Sequence, residues 1–214
     1  MEYCCLYHIF NFISIIKLKL QMKKLILFIL LFFTILINSQ EAIFRNTVMN
    51  TFKSQIGVRE LTGNNDGLEV EKYLASTGLG KGYAWCASFP SWVLKKHKIP
   101  NPKSAWSPHW ANRKDMVWEK GMPISLLKKM MREGDQYTLW YNSLDRVGHV
   151  GTFETWNPNN RIGGIEGNTN IKGSREGDGV YRKSRSLKYV YRVTNYISPY
   201  LQDKVVILGC PARQ

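Results

Sequence analysis

The sequence predicts an α+β protein whose N-terminal helices pack on an antiparallel β-sheet, preceded by an apolar leader. Three observations carry this expectation. Apolar residues recur at helical spacing through the first half of the chain, as in Phe44, Val48, Met49, Phe52 and Ile56. From Tyr137 onward, runs rich in Val, Tyr, Thr and Ile are separated by Gly, Asn and Pro, the pattern of strands and turns. The helical half comes first and the strand-rich half second, which is the order of an α+β fold. A chain of 214 residues with neither an internal repeat nor an evident linker fits one folded domain plus a leader. The expected division is a leader over residues 1–39, a domain over 41–200 and a C-terminal tail over 201–214.

Lys23 and Lys24 precede Leu25–Ile37, thirteen residues of which only Thr34 is not strongly apolar, and Asn38, Ser39 and Gln40 follow. A positive segment, an apolar segment and a small polar zone are the parts of a secretory signal. Thirteen residues fall short of the roughly 20 that span a bilayer, so cleavage is expected over an uncleaved anchor. Met22 would begin an ordinary signal by itself, so residues 1–21 are read as coming from a start placed too early. The rest of the chain is expected outside the cytoplasm, secreted or in the periplasm or cell envelope, with membrane contact only through an uncleaved leader.

Beyond the leader, Gly57 stands where a left-handed helix cap would close the first helix. Asn64-Asn65-Asp66-Gly67 is a turn. A second helix runs from Glu69 to Ser76, with acidic residues in its first turn and Gly78 after its end. A third apolar segment follows Tyr83-Ala84-Trp85-Cys86 and ends near His97. Pro100 to Pro108 is a loop, and Trp110 to Lys120 reads as a short helix. Strands are expected over Tyr137–Tyr141, Gly148–Trp156, Arg161–Glu166, Gly179–Ser184 and Lys188–Tyr196.

Composition narrows the function. Four cysteines, two of them adjacent in the leader, provide neither a disulfide framework nor zinc-finger spacing. The chain carries a net charge of +14, and residues 1–39 account for four Lys and one Glu, leaving 26 basic and 15 acidic residues, or +11. In an exported protein that charge points to an anionic wall polymer or membrane surface and not to nucleic acid, unless it is simply a solvated basic surface. The turn at Asn64–Gly67 lacks the dense carboxylates of a calcium site, so neither metal nor cofactor is expected.

Cys86 stands at the start of a helix after a glycine-bearing loop, where unpaired N–H groups and the helix dipole favour a thiolate, the attacking form of cysteine. His149, in Gly148-His149-Val150-Gly151, lies in an apolar run that reads as a strand, and its flanking glycines would let a backbone or substrate come close. A nucleophilic cysteine needs a histidine joined to it in space and not in sequence. Glu166 or Asn168, at the end of the next strand, could accept a bond from the imidazole and hold its tautomer. The two are two residues apart, so a regular strand would put them on one face.

The blocks Trp85-Cys86-Ala87-Ser88-Phe89, Gly148-His149-Val150-Gly151 and Glu166-Gly167-Asn168, in that order, resemble the CHAP family of cysteine, histidine-dependent amidohydrolases and peptidases. The resemblance extends over roughly Val58 to Arg192 and includes Arg59-Glu60, Asn64-Asn65 and Gly134-Asp135. It implies a papain-like fold and hydrolysis of a peptidoglycan amide, either within the stem peptide or cross-bridge or between muramic acid and L-alanine. It also implies that Cys86 is the nucleophile, His149 the general base and Glu166 the residue that orients the ring, with Asn168 assisting. The Cys86 N–H and a donor from the preceding loop would hold the oxyanion, with Tyr83 and Trp85 as candidates for that or for substrate contact. Two alternatives stand beside it: an inactive wall-binding module of the same fold, and an exported antibacterial toxin. Pro90, four residues after Cys86, departs from the family pattern and raises the expectation of a bent helix. Cys210 is read as a free thiol in the tail.

Overall fold

The computed structural model describes residues 2–171 and 177–209, with the side chains of 17, 19–171 and 177–204. The chain divides into two compact units, residues 1–43 and 44–214. From Glu2 onward the first unit is helical, as the opening part of α1 (Glu2–Ser54). The stretch Lys19–Ser54 contains an 18-residue window of mean hydropathy 2.2, none of it buried, and is long and apolar enough to cross a membrane. Such a helix fits a signal sequence or a membrane anchor. It continues without a break through Asn38, Ser39 and Gln40, the expected cleavage zone.

The second unit is α+β. After the end of α1 come α2 (Leu68–Ala75), α3 (Ser88–Lys96) and a 3-10 turn at Ser107–Ala111. Then follow β1 (Met116–Glu119), α4 (Ile124–Met130), β2 (Gln136–Tyr141), β3 (Arg146–Asn157), β4 (Arg161–Thr169), β5 (Gly179–Ser186), β6 (Val190–Thr194) and α5 (Ile197–Gly209). The strands form one antiparallel six-stranded sheet in the order β1-β6-β2-β3-β4-β5. The five expected strands are β2 to β6 within a few residues at their ends.

Three elements differ from expectation. The helix expected over Trp110–Lys120 is instead the 3-10 turn followed by β1, because the Asp115 N–H bonds Asn112 Oδ1 and Met116 to Glu119 pair with β6. Helix α4, of seven residues, and α5 were not anticipated, and α5 takes the expected tail as far as Gly209. Cys210 lies outside the described residues.

Two apolar clusters hold this unit together. One joins Val48, Met49 and Phe52 of α1 with Tyr73, Leu74, Trp85, Phe89 and Val93, and reaches the sheet at Val150, Ile165 and Val180. The other collects Trp118, Leu127, Tyr137, Phe153, Ile162 and Val193. Burial of such side chains contributes about 1.5–3 kcal/mol each.

A polar clamp joins the two halves. The buried Arg45 guanidinium of α1 donates to Asp135 Oδ1 at 2.9 Å, to the Glu133 carbonyl at 2.7 Å, to Asn195 Oδ1 at 3.0 Å and to Ser198 Oγ at 2.8 Å. Burial pushes the Asp135 carboxyl up to about 6 although Arg45 pulls it down. Arg45→Met, which leaves that carboxyl buried without its cation, is expected to lower stability by about 3–5 kcal/mol in urea unfolding of the detergent-solubilised chain. Arg45→Met with Asp135→Leu should cost less than Arg45→Met alone.

Candidate functional site

Cys86 reaches the sheet because the chain around it is seated on β4. A Cβ at Gly167 would stand 2.7 Å from the Trp85 ring and 2.9 Å from Phe89 Cβ, so only glycine lets β4 pass this close to the start of α3. The Phe89 N–H bonds the Trp85 carbonyl at 3.0 Å, which makes Trp85-Cys86-Ala87 the entry to the helix. Pro90 is the third residue of α3, inside the first turn, where a missing N–H costs little. No bend need be attributed to it.

The structure brings Cys86, His149 and Glu166 into one chain of interactions. His149 Nε2 and Glu166 Oε2 are 2.8 Å apart, which leaves Nδ1 as the ring atom available to the thiol. Cys86 Sγ lies 3.4 Å from Ser107 Oγ. Burial opposes a thiolate at Cys86, but hydrogen bonding and charge from His149, with help from Ser107 and the Val150 N–H, outweigh it and lower the thiol's pKa. Burial also opposes charge on His149; the Glu166 carboxylate and the sulfur overcome it and raise the imidazole well above its ordinary value. Together these shifts favour a thiolate–imidazolium pair.

Behind the ring, Glu166 is fully buried, which would raise its pKa, yet His149 and Arg185 hold it well below the usual carboxylate range. Tyr137 Oη donates to Oε1 at 2.5 Å, Arg185 Nε donates to Oε1 at 2.7 Å, and an Arg185 terminal nitrogen donates to Oε2 at 2.5 Å. Two glycines make room for the Tyr137 ring: a Cβ at Gly151 would stand 2.4 Å from its Cζ, and one at Gly164 would stand 2.5 Å from its hydroxyl. The glycines beside His149 therefore admit aromatic rings and not substrate. Gly148 likewise lies under the ring of Tyr141.

Asn168 is not at the imidazole. The register of β4 against β5 shifts between Glu166 and Thr169, and Asn168 adopts φ 51°, so the alternation that would align it with Glu166 is broken. Its Oδ1 accepts the Trp85 N–H at 3.1 Å, and its Nδ2 donates to Asn65 Oδ1 at 3.0 Å, to the Gly177 carbonyl at 3.1 Å and to Glu60 Oε1 at 3.3 Å. Glu60 Oε1 also accepts the Trp85 indole N–H at 2.8 Å. Asn168 thus braces the loop that carries Cys86.

The expectation for Trp85 is corrected by the same geometry. The Trp85 side chain is buried in the core and its backbone N–H is taken by Asn168, so it offers neither substrate contact nor an oxyanion donor. Tyr83 is 57% exposed. Among the described residues, no three His, Cys, Asp or Glu side chains converge as metal ligands.

Cys86 and His149 are only 6% and 5% exposed, so both side chains are nearly covered and do not line a wide groove. Compared with known proteins, the chain matches no family model, no curated protein and no solved structure.

Sequence reasoning missed Tyr137, Arg185 and Ser107. Tyr137 faces Gly151 across β2 and β3, and Arg185 alternates with Lys183 and Tyr181 on the strand beside Glu166. An aromatic opposite a glycine and a cation near a strand carboxylate were the available signals. Ser107, in a proline-rich loop, had none.

Because Glu166 sustains the imidazolium that sustains the thiolate, Glu166→Gln is expected to shift the onset of Cys86 alkylation by iodoacetamide to higher pH. The wild-type onset should lie below that of an ordinary thiol, and a rate–pH profile of both proteins reads the difference. Gly151→Ala should act in the same direction by displacing Tyr137, with a loss of stability of about 1–3 kcal/mol from overpacking.

Proposed function

We propose that the chain is an exported or membrane-anchored cysteine amidohydrolase of papain-like fold, akin to the CHAP family, that hydrolyses an amide bond of peptidoglycan. The observation that carries this reading is a cysteine at a helix start, facing a histidine whose Nε2 is held by a buried, ionised glutamate. Support for the substrate comes from the apolar N-terminal helix, the +11 charge of the remainder and the order of the three sequence blocks.

The residues suggest the following chemistry. The Cys86 thiolate attacks the carbonyl carbon, and the developing oxyanion is received by the Cys86 N–H and the Ser107 hydroxyl. The His149 imidazolium passes its Nδ1 proton to the amine nitrogen as the C–N bond breaks, leaving a thioester on Sγ. Neutral His149 then takes a proton from water, whose oxygen attacks the thioester. The tetrahedral intermediate then breaks its C–S bond, the carboxylic acid leaves, and with the imidazole keeping the proton it took from water the thiolate–imidazolium pair is restored. Glu166 stays ionised throughout and holds the ring with Nε2–H directed at itself.

Purified sacculi provide the test. The wild-type chain should release soluble peptide or free amino termini, while Cys86→Ala and His149→Ala, folded by circular dichroism, should release none. Continued release by Cys86→Ala would contradict the assignment of nucleophile. Ser107→Ala is expected to lower kcat by about 10²-fold with KM little changed, the loss typical of one oxyanion donor.

A further inference from the structure

Arg146 and Trp106 form a stacked pair at the edge of the reactive residues. The Arg146 guanidinium carbon lies 4.1 Å from the centroid of the Trp106 ring. Each member is tied by the backbone to one half of the Cys86–His149 pair. Trp106 directly precedes Ser107, whose hydroxyl touches Sγ, and Arg146 opens β3 three residues before His149. In an unbroken strand Arg146 and His149 would face opposite ways. Here Leu139 pairs with His149 and Trp140 with Val147, so Gly148 is an extra, bulged residue and returns Arg146 to the His149 side.

The stack is fixed in place. The loop under Trp106 is pinned at Ser104, whose Oγ accepts the Trp106 N–H at 3.1 Å and lies 2.8 Å from His109 Nδ1, while its carbonyl accepts the Trp110 indole N–H at 2.9 Å. Arg146 spends one terminal nitrogen on the Val147 carbonyl at 2.9 Å. Among the described residues no carboxylate pairs with it, whereas on the other strands Arg182, Arg185 and Arg192 are each bonded to a glutamate and Arg161 to Ser184. A guanidinium placed over an indole face keeps its other N–H groups to offer, and a carboxylate is the group that a guanidinium receives best. Trp106 itself is 48% exposed, so the face of the stack is open to a ligand.

We infer that Arg146, presented by Trp106, is a substrate subsite that binds a free carboxylate of the peptide flanking the amide attacked by Cys86. This rests on the hydrolase reading above and narrows its substrates to peptides with an acidic group beside the scissile bond, in preference to the same peptides amidated. Arg146 acts on binding and orientation; it takes no part in bond making.

The full chain in detergent is given two polymers: purified peptidoglycan with free carboxylates, and the same peptidoglycan with its carboxylates converted to primary amides by carbodiimide and ammonia. Wild type should cleave the amidated polymer about 10- to 100-fold less efficiently, the loss expected for one charge-assisted pair. Arg146→Ala should lose the same factor on the free polymer, chiefly in KM, and be indifferent to amidation. Arg146→Lys should recover part of the preference. Iodoacetamide alkylation of Cys86 should be unchanged in both variants, which separates a lost subsite from a disturbed site. An Arg146→Ala protein that keeps the wild-type preference overturns the inference, and so does equal wild-type cleavage of both polymers. Absence of wild-type cleavage on either polymer overturns the hydrolase reading, and the subsite with it.

Discussion

A carboxylate taken wholly out of water is the constraint on which the second unit is organised. Moving such an ion into a protein interior costs several kcal/mol unless its lone pairs are met by donors. Glu166 meets donors from three other places in the sheet: His149 on β3, Tyr137 on β2 and Arg185 on β5. Those partners set the register of four strands around one point. They also balance charge. With Cys86 as the thiolate and His149 as the imidazolium that their shifts favour, Glu166 and Cys86 are negative and His149 and Arg185 positive, so the group of four carries no net charge. Removing any one of them exposes the others to an uncompensated interior.

Cys86 is delivered to this point by two supports of different kinds. One is apolar: the close approach of Gly167 to Trp85 and Phe89 sets α3 against β4. The other is polar: Glu60, Asn65 and Asn168 hold the indole and the backbone N–H of Trp85, one residue before the thiol. A loop bearing a reactive group would otherwise be among the less stable parts of a fold. Here it is pinned from both sides, which suits a sulfur that must face one ring nitrogen.

Much of this was legible in the residues. Strand positions β2 to β6 were readable because their Val, Tyr and Ile runs are broken by turn residues, and Cys86, His149 and Glu166 because their neighbours are distinctive. Asn168 was misjudged because alternation assumes an unbroken strand, and a left-handed residue in a bulge leaves no mark in a two-residue count. The glycines beside His149 were read as open space, whereas the space is filled by Tyr137 and Tyr141 from the paired strand. The helix expected over Trp110–Lys120 failed because β1 is a four-residue edge strand whose identity comes from its partner β6, not from its own sequence. Arg185 and Ser107 lie 19 and 21 residues from the groups they serve, a separation that only the folded sheet closes.

The central physical claim is that His149 rests as an imidazolium opposite a thiolate. The ring-nitrogen NMR shifts of selectively labelled His149 read this directly. At neutral pH the wild-type protein should show both nitrogens protonated, and Cys86→Ala should lower the pH at which that proton is lost. A neutral ring with one protonated nitrogen in the wild-type protein, unchanged by removing the sulfur, would contradict the account.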